Sequence, residues 1–199
     1  MTATLDAGVE HSRSRPRSLR PALAVSALLT ALIVGGGAVG GAMAVRGASA
    51  PGEVGVRAGL EGAEGFGEVF VAIVTLNLPV AASLVAGIVS VGAVTAVTGL
   101  MLGLYLGSTV GAAVNTVGAG ELWDSVSAYA GLEMLGLALA AVAGFLPLSS
   151  MLAGRHDSGG GPLARYVGSF PLAAALAGGS SLLLLGAAAI EAAVIASTA

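Results

Sequence analysis

Between Glu68 and Glu121 lies a run of 52 residues without one Asp, Glu, Lys or Arg. A helix needs about 20 apolar residues to cross the hydrocarbon of a bilayer, so this run is too long for one crossing and suits two joined by a tight turn. A soluble helix of that length would need a polar face toward water, and none is present here. The chain therefore reads as an all-α, polytopic helical bundle in the plasma membrane. Its function should lie with the few polar groups inside the spans.

Charged residues make up only 10% of the chain and hydrophobic ones 56%, against the quarter of charged residues usual in a soluble domain. The absence of cysteine removes disulfides, thiolate nucleophiles and cysteine-held metals from consideration. A net charge of −3 is too small to imply a nucleic-acid partner.

Charge-free intervals divide the sequence into a basic tail, 1–20, and one membrane domain, 21–199, with spans predicted at 21–45, 70–91, 97–115, 126–148 and 170–195. The first interval follows Arg13, Arg15, Arg17 and Arg20, and Ala48-Ser49-Ala50 looks like a signal-peptide cleavage site. The apolar stretch exceeds a signal h-region and Pro51 would follow the cut, so an uncleaved helix is expected. The long run is divided near Ser90, Gly92, Thr95 and Thr98, which dilute its apolar character. The fourth span contains Glu133 and is closed by Pro147, and the fifth contains Glu191.

Arginine placement sets the predicted topology. The tail and the loop 149–169, with Arg155 and Arg165, are basic. The segments 46–69 and 116–125 hold Glu53, Glu61, Glu64, Glu68, Glu121 and Asp124 against Arg46 and Arg57. Five spans segregate these onto two faces, and the positive-inside rule then gives N-in, C-out, with 46–69 an outer loop and 149–169 a cytoplasmic one. Four spans would put the two basic segments on opposite faces. Residues 56–70 suit either a short helix on the outer surface, with Leu60, Phe66 and Phe70 toward lipid, or a loop rich in Gly and Glu. Gly159-Gly160-Gly161-Pro162 reads as a turn, not a phosphate loop, because no Gly-Lys-Ser/Thr follows.

A carboxylate inside a membrane costs several kcal/mol and usually faces a bundle interior or a wet cavity. In this topology Glu133 lies roughly 10 Å below the outer end of its helix. Glu191, Asn77 and Asn115 fall at similar height, so the four form a predicted polar cluster beneath the outer surface. The plainer alternatives are a hydrogen-bonded structural acid at Glu133 and an interfacial solvated carboxylate at Glu191. A proton or cation site is the functional alternative.

Gly99, Gly103, Gly107 and Gly111 repeat every four residues and so share one helix face, a groove for close approach of another backbone. Gly36/Gly40 and Gly37/Gly41 repeat the device on the first helix. The partner is either a helix of the same chain, which we favour, or a second copy in a homo-oligomer. No catalytic, metal or cofactor site is expected. His11 and His156 lie in polar segments without a metal-binding arrangement, and no Gly-x-Ser-x-Gly elbow occurs. Trp123 and Tyr129 suit an interfacial aromatic belt.

From Phe66 onward the chain resembles the stage II sporulation protein M family, a widespread group of bacterial and archaeal membrane proteins. The likeness rests on Phe66, Phe70 and Asn77-Leu78, on Gly87, Gly92, Gly99, Gly103 and Gly107, on Tyr129-Ala130-Gly131-Leu132-Glu133 in place of His-Gly-x-x-Glu, and on Ile190-Glu191 in the last span. It departs from the pattern at Tyr129, Ala130 and Thr98. The resemblance implies a membrane anchor that works with partner proteins in remodelling the cell envelope, and it marks Glu133 and Glu191. The reading is a non-enzymatic scaffold or complex subunit with membrane or envelope protein partners. Its rival is a permease subunit or small transporter, which would need a continuous polar path past Glu133.

Overall fold

The computed structural model describes residues 19–46, 65–153 and 161–198. It is all helical over this range: α1 Arg20–Ala44, α2 Phe66–Val85 with a 3₁₀ turn Ala86–Ile88, α3 Ala93–Val117, α4 Ala119–Val126, α5 Ala130–Leu152, α6 Pro162–Gly168 and α7 Phe170–Thr198. Five of these, α1, α2 with its 3₁₀ turn, α3, α5 and α6–α7, are long and apolar enough to cross a membrane. The chain is a multi-pass plasma-membrane protein. The basic tail 1–18, the segment 47–64 that includes Ala48-Ser49-Ala50 and most of the expected surface helix, and 154–160 lie outside the described residues.

Helix α5 is the centre of the bundle, with 61% of its apolar window buried against 28% or less in the other four spans. The outer helices instead present Leu28, Leu32, Val71, Val97, Met101, Tyr105 and Leu182 to the surroundings. In a bilayer that surface meets lipid as apolar as itself, so burial of these side chains is not what holds the bundle together. Close backbone packing takes over that role.

The α1–α3 seam illustrates it. A side chain at Gly103 would strike the Val34 carbonyl, one at Gly107 the Ala38 carbonyl, and one at Gly37 would come 2.8 Å from the Leu100 carbonyl oxygen. Gly41 is closed off in the same way by the Leu104 carbonyl, and Gly111 sits under Val45. At Gly99 the neighbours are only side chains, Val34 and Ile33 at ordinary contact distance. The seam uses Gly37 and Gly41. Gly36 faces open space, and Gly40 meets only the tip of Leu104.

A second seam joins α2, α5 and α7. Ala81 and Leu84 of α2 pack with Leu137, Ala140 and Ala141 of α5 and Leu184 of α7. Val69 and Ile73 meet Ala188 and Ala192 nearer the start of α2. These pairings make α2 and α5 parallel to each other and α7 antiparallel to both. Ala22 of α1 packs with Leu146 and Ala173, and Gly37 and Gly41 meet α3 in ascending order, so α1, α3 and α7 run the opposite way to α2 and α5.

Where α2 gives way to α3, the chain reverses in four residues, 89–92. Gly92 N–H bonds to the Gly87 carbonyl at 2.8 Å, and Ser90 Oγ accepts from Val94 N–H at 3.1 Å at the start of α3. The turn requires positive φ at two positions, Val91 (54°) and Gly92 (82°). Glycine adopts this freely, but a β-branched residue does so under strain. Just inside the turn Thr95 Oγ1 donates to the Leu84 carbonyl at 2.6 Å, fully buried. Added side chains at Gly87 and Gly144 would collide with Thr95 Oγ1 and the Leu84 carbonyl respectively, so three helices cross there in near backbone contact.

Several helix boundaries differ from those read in the sequence. The hairpin turn is confined to 89–92, so α3 begins at Ala93 and not near 97. Residues 119–126 form the short amphipathic helix α4 in what was read only as an acidic segment between spans, and α5 starts at Ala130, not at 126. Pro147 does not close α5. It lies fully buried inside a helix that continues to Leu152, which membrane helices tolerate when neighbours pack the freed backbone group. The loop 149–169 also contains α6, where Pro162 occupies a first-turn position whose amide needs no helical partner.

Candidate functional site

The polar cluster is assembled where the first turn of α5 meets the middle of α2. Helix α5 contributes Glu133 in its first turn, one turn beyond the N-cap residue Tyr129. First-turn amides lack intrahelical acceptors and carry the positive end of the helix dipole, so a carboxylate there is favoured by its own helix. Its backbone N–H bonds to the Tyr129 carbonyl at 3.1 Å. From the parallel helix α2, Asn77 Nδ2 donates to Glu133 Oε1 at 2.6 Å. Hydrogen bonds to a charged acceptor contribute about 1.5–3 kcal/mol, more than a neutral pair.

Helix α7 brings Glu191 to the same place. Its side chain is 7% exposed, lies within Coulombic range of Glu133, and accepts no hydrogen bond from any described residue. The Tyr129 hydroxyl feels the charge of both carboxylates. Sequence reasoning placed Tyr129 in an aromatic belt, although its spacing of four from Glu133 already put both on one helix face. Among the described residues no cationic side chain acts on either acid.

Asn115 stands apart from this group. It is exposed near the end of α3, and its Nδ2 reaches the Val45 carbonyl at 3.4 Å. Because α3 packs along α1, its end comes to lie beside the end of α1 and not against α5 and α7. The height expected for this residue does not hold either: from the level of the Thr95–Leu84 contact, Asn115 lies 20 residues along α3, whereas Asn77 lies only 7 residues back along α2.

Beyond Glu133 the site is closed. Ser180 Oγ of α7 donates to the Gly136 carbonyl at 2.7 Å, and a Cβ on Gly136 would lie 2.9 Å from Leu184 Cγ. The packed layer of Ala81, Leu84, Leu137, Ala140, Ala141 and Leu184 follows. Within and beyond that layer the buried polar groups are hydroxyls, such as Thr95, and a charged side chain reappears near the end of α5. There Arg165 Nη2 donates to the Met151 carbonyl at 3.2 Å and Tyr166 Oη to the Ile88 carbonyl, while the Ser149 and Ser150 hydroxyls find no partner. A cleft of about 330 Å³ opens sideways between α2 and α7, lined by small residues including Ala81, Ala177, Gly178 and Ser181.

No protein-family model, curated protein or solved structure matches this chain, so the likeness to the stage II sporulation protein M family rests on the motif residues alone.

Proposed function

We propose that this protein is a non-enzymatic scaffold or complex subunit of the plasma membrane, oriented N-in, C-out, that holds membrane or envelope protein partners. The observation that carries the reading is the apolar layer beneath Glu133, Ala81 to Leu184, which separates the Glu133 end of the bundle from the Arg165 end. A permease needs polar groups or water along its whole path, because an ion or polar solute in hydrocarbon is expensive. Two polar ends separated by an apolar layer suit a static anchor better.

Two further features support it. Helix α7 leaves Leu182 and Gly186 exposed and Gly179 half-buried, and neither glycine has a neighbour within contact distance. Small residues on an open face admit the close approach of a further transmembrane helix. The likeness to the sporulation family, whose named member is regarded as a membrane anchor in envelope remodelling, points the same way. In that likeness Glu133 and Glu191 are the marked positions.

A photo-crosslinking residue placed at Gly179, Leu182 or Gly186 in native membranes tests the reading. Discrete protein adducts at these sites, and none from Met101 on the lipid-facing side of α3, are the expected result. Reconstituted vesicles in which the purified protein alone moves a solute down its gradient would overturn it.

A further inference from the structure

We propose that the Arg165 end of the bundle holds one anionic phospholipid, with its phosphate against the Arg165 guanidinium and an acyl chain in the cleft between α2 and α7. This goes beyond the anchoring role and does not depend on it.

Charge is sorted along the bundle. The described acids stand toward the other end: Glu68 at the start of α2, Glu121 and Asp124 on α4, Glu133 in the first turn of α5 and Glu191 in the last third of α7. At this end the described charged residues are two arginines. Arg165 lies on α6, and Arg20 is exposed at the start of α1, two residues before Ala22, which packs on Leu146 of α5. Basic pockets at the ends of transmembrane helices suit anionic lipid headgroups.

The donors of Arg165 are mostly unused. A guanidinium carries five N–H groups. Nη2 donates to the Met151 carbonyl at 3.2 Å, Nε has no partner, and no carboxylate among the described residues pairs with the side chain. Just before Met151, Ser149 and Ser150 are 0% and 5% exposed, and their hydroxyls also lack a partner. Three of the four buried side-chain polar atoms left unpaired among the described residues thus gather at the junction of α5 and α6. All three can donate a hydrogen bond, and a phosphate diester offers only acceptors. The planar guanidinium fork matches phosphate geometry. Water would serve the hydroxyls as well, but it would leave the arginine charge without a counter-ion.

The cleft provides for the rest of the ligand. Val85 in its wall lies three residues before Ile88, whose carbonyl accepts from the hydroxyl of Tyr166, the neighbour of Arg165. On the other wall, Ala177 lies seven residues along α7 from Phe170, roughly 10 Å. A leaflet holds roughly 15 Å of hydrocarbon, so a chain whose phosphate sits at Arg165 reaches the cleft. The lining has no hydroxyl left to donate, because Ser180 and Ser181 already bond to the Gly136 and Ala177 carbonyls. What remains is apolar surface open to the bilayer, where an unfilled recess forfeits dispersion contacts. Its volume of about 330 Å³ is less than a single helical turn, about 10 Å across and 5.4 Å tall, would need. It suits a chain better than a helix.

The test is native mass spectrometry of the delipidated full chain in detergent. The probes are dioleoyl phosphatidylglycerol, dioleoyl phosphatidylcholine, dihexanoyl phosphatidylglycerol and inorganic phosphate. The wild type should retain one dioleoyl phosphatidylglycerol in preference to the other three. Arg165→Gln should weaken that binding by about tenfold or more, as expected for loss of a charge-assisted hydrogen bond. Gly178 has no neighbour within 4 Å, so Gly178→Leu should fold, fill the cleft and abolish the advantage of the long chain over the short one. Should Arg165→Gln fail to fold, Arg165→Lys keeps the charge without the bidentate fork and should still bind more weakly than the wild type. Binding by the arginine variant equal to the wild type overturns the headgroup site. An unchanged chain preference in Gly178→Leu overturns the place of the chain and leaves the cleft to a neighbouring helix. Inorganic phosphate held as tightly as the long-chain lipid would mean a free-anion site, and it too overturns the proposal.

Discussion

Asn77 and Glu133, 56 residues apart in the chain, are joined by a 2.6 Å hydrogen bond from the amide nitrogen of one to a carboxylate oxygen of the other. The bond ties α2 to the first turn of α5 and sets the two helices side by side at the end of the bundle where α7 brings in Glu191. Replacing Glu133 with Gln keeps an oxygen to accept from Asn77, so folding should be preserved. Glu133→Leu strands the Asn77 donor in a half-buried site and should destabilise by about 1–3 kcal/mol. Thermal unfolding of the two variants in one detergent checks this. Equal melting temperatures for the Gln and Leu variants would mean that the hydrogen bond holds nothing.

The α1–α3 seam makes a prediction with an internal control. Gly107→Leu drives a side chain into the backbone at Ala38, and Gly37→Leu drives one into the backbone at Leu100. Each should destabilise by the ~1–3 kcal/mol of an overpacked site, or more where backbone and not side chain must move. Gly36→Leu, one residue away on α1, points into open space and should leave stability nearly unchanged. If Gly36→Leu and Gly37→Leu unfold alike, α1 does not meet α3 through this face.

How much of this was legible beforehand differs by residue. The glycine repeat at 99, 103, 107 and 111 was readable because a period of four stays on one helix face whatever surrounds it. Which pair on α1 would meet it was not, since Gly36/Gly40 and Gly37/Gly41 have equal spacing and only packing selects the rotation. The late start of α5 was hidden because Val126, Ala128 and Tyr129 continue its apolar character, broken only by the uncharged Ser127. Asn77, Glu133 and Glu191 shared a height that the topology supplied. Asn115 was expected at that height too, but it lies near the end of α3, beside the end of α1 and well beyond the level of Asn77. Sequence hydropathy brackets each span, but a residue's depth shifts with the true helix start, and hydropathy carries no information on which helix neighbours which.

Val91 is held at φ 54° in the turn between α2 and α3, a conformation that costs an ordinary L-residue roughly 1–2 kcal/mol and a β-branched one no less. Val91→Gly should relieve that strain and, after the added flexibility of the unfolded chain is subtracted, stabilise by up to ~1 kcal/mol. The neighbouring Gly92→Ala should do the opposite. Its φ is 82°, and a Cβ there would lie 3.1 Å from Phe145 and Leu148 side-chain atoms. A melting temperature that falls for Val91→Gly would show that the side chain, half exposed as it is, contributes more than its strain costs.

The last prediction concerns orientation. The packing pairs make α1, α3 and α7 parallel to one another and antiparallel to α2 and α5, so an odd number of crossings puts the two ends of the chain on opposite faces. The packing does not decide which face is which, because a bundle can be turned over without changing a contact. Charge decides it. Arg20 opens α1 and Arg165 lies between α5 and α7, on the same side of the alternating bundle, and in the sequence Arg13, Arg15 and Arg17 come before the first and Arg155 before the second. Cytoplasmic loops carry the excess of arginine, so a reporter fused at Ala199 should read outside and one inserted at Gly160 should read cytoplasmic. Adding three arginines next to Glu121 and Asp124, on the opposite side, should weaken the preference and produce a mixed population. Matching readings at Ala199 and Gly160 would remove one crossing and with it the alternating arrangement, while reversed readings would keep the bundle and overturn only the orientation.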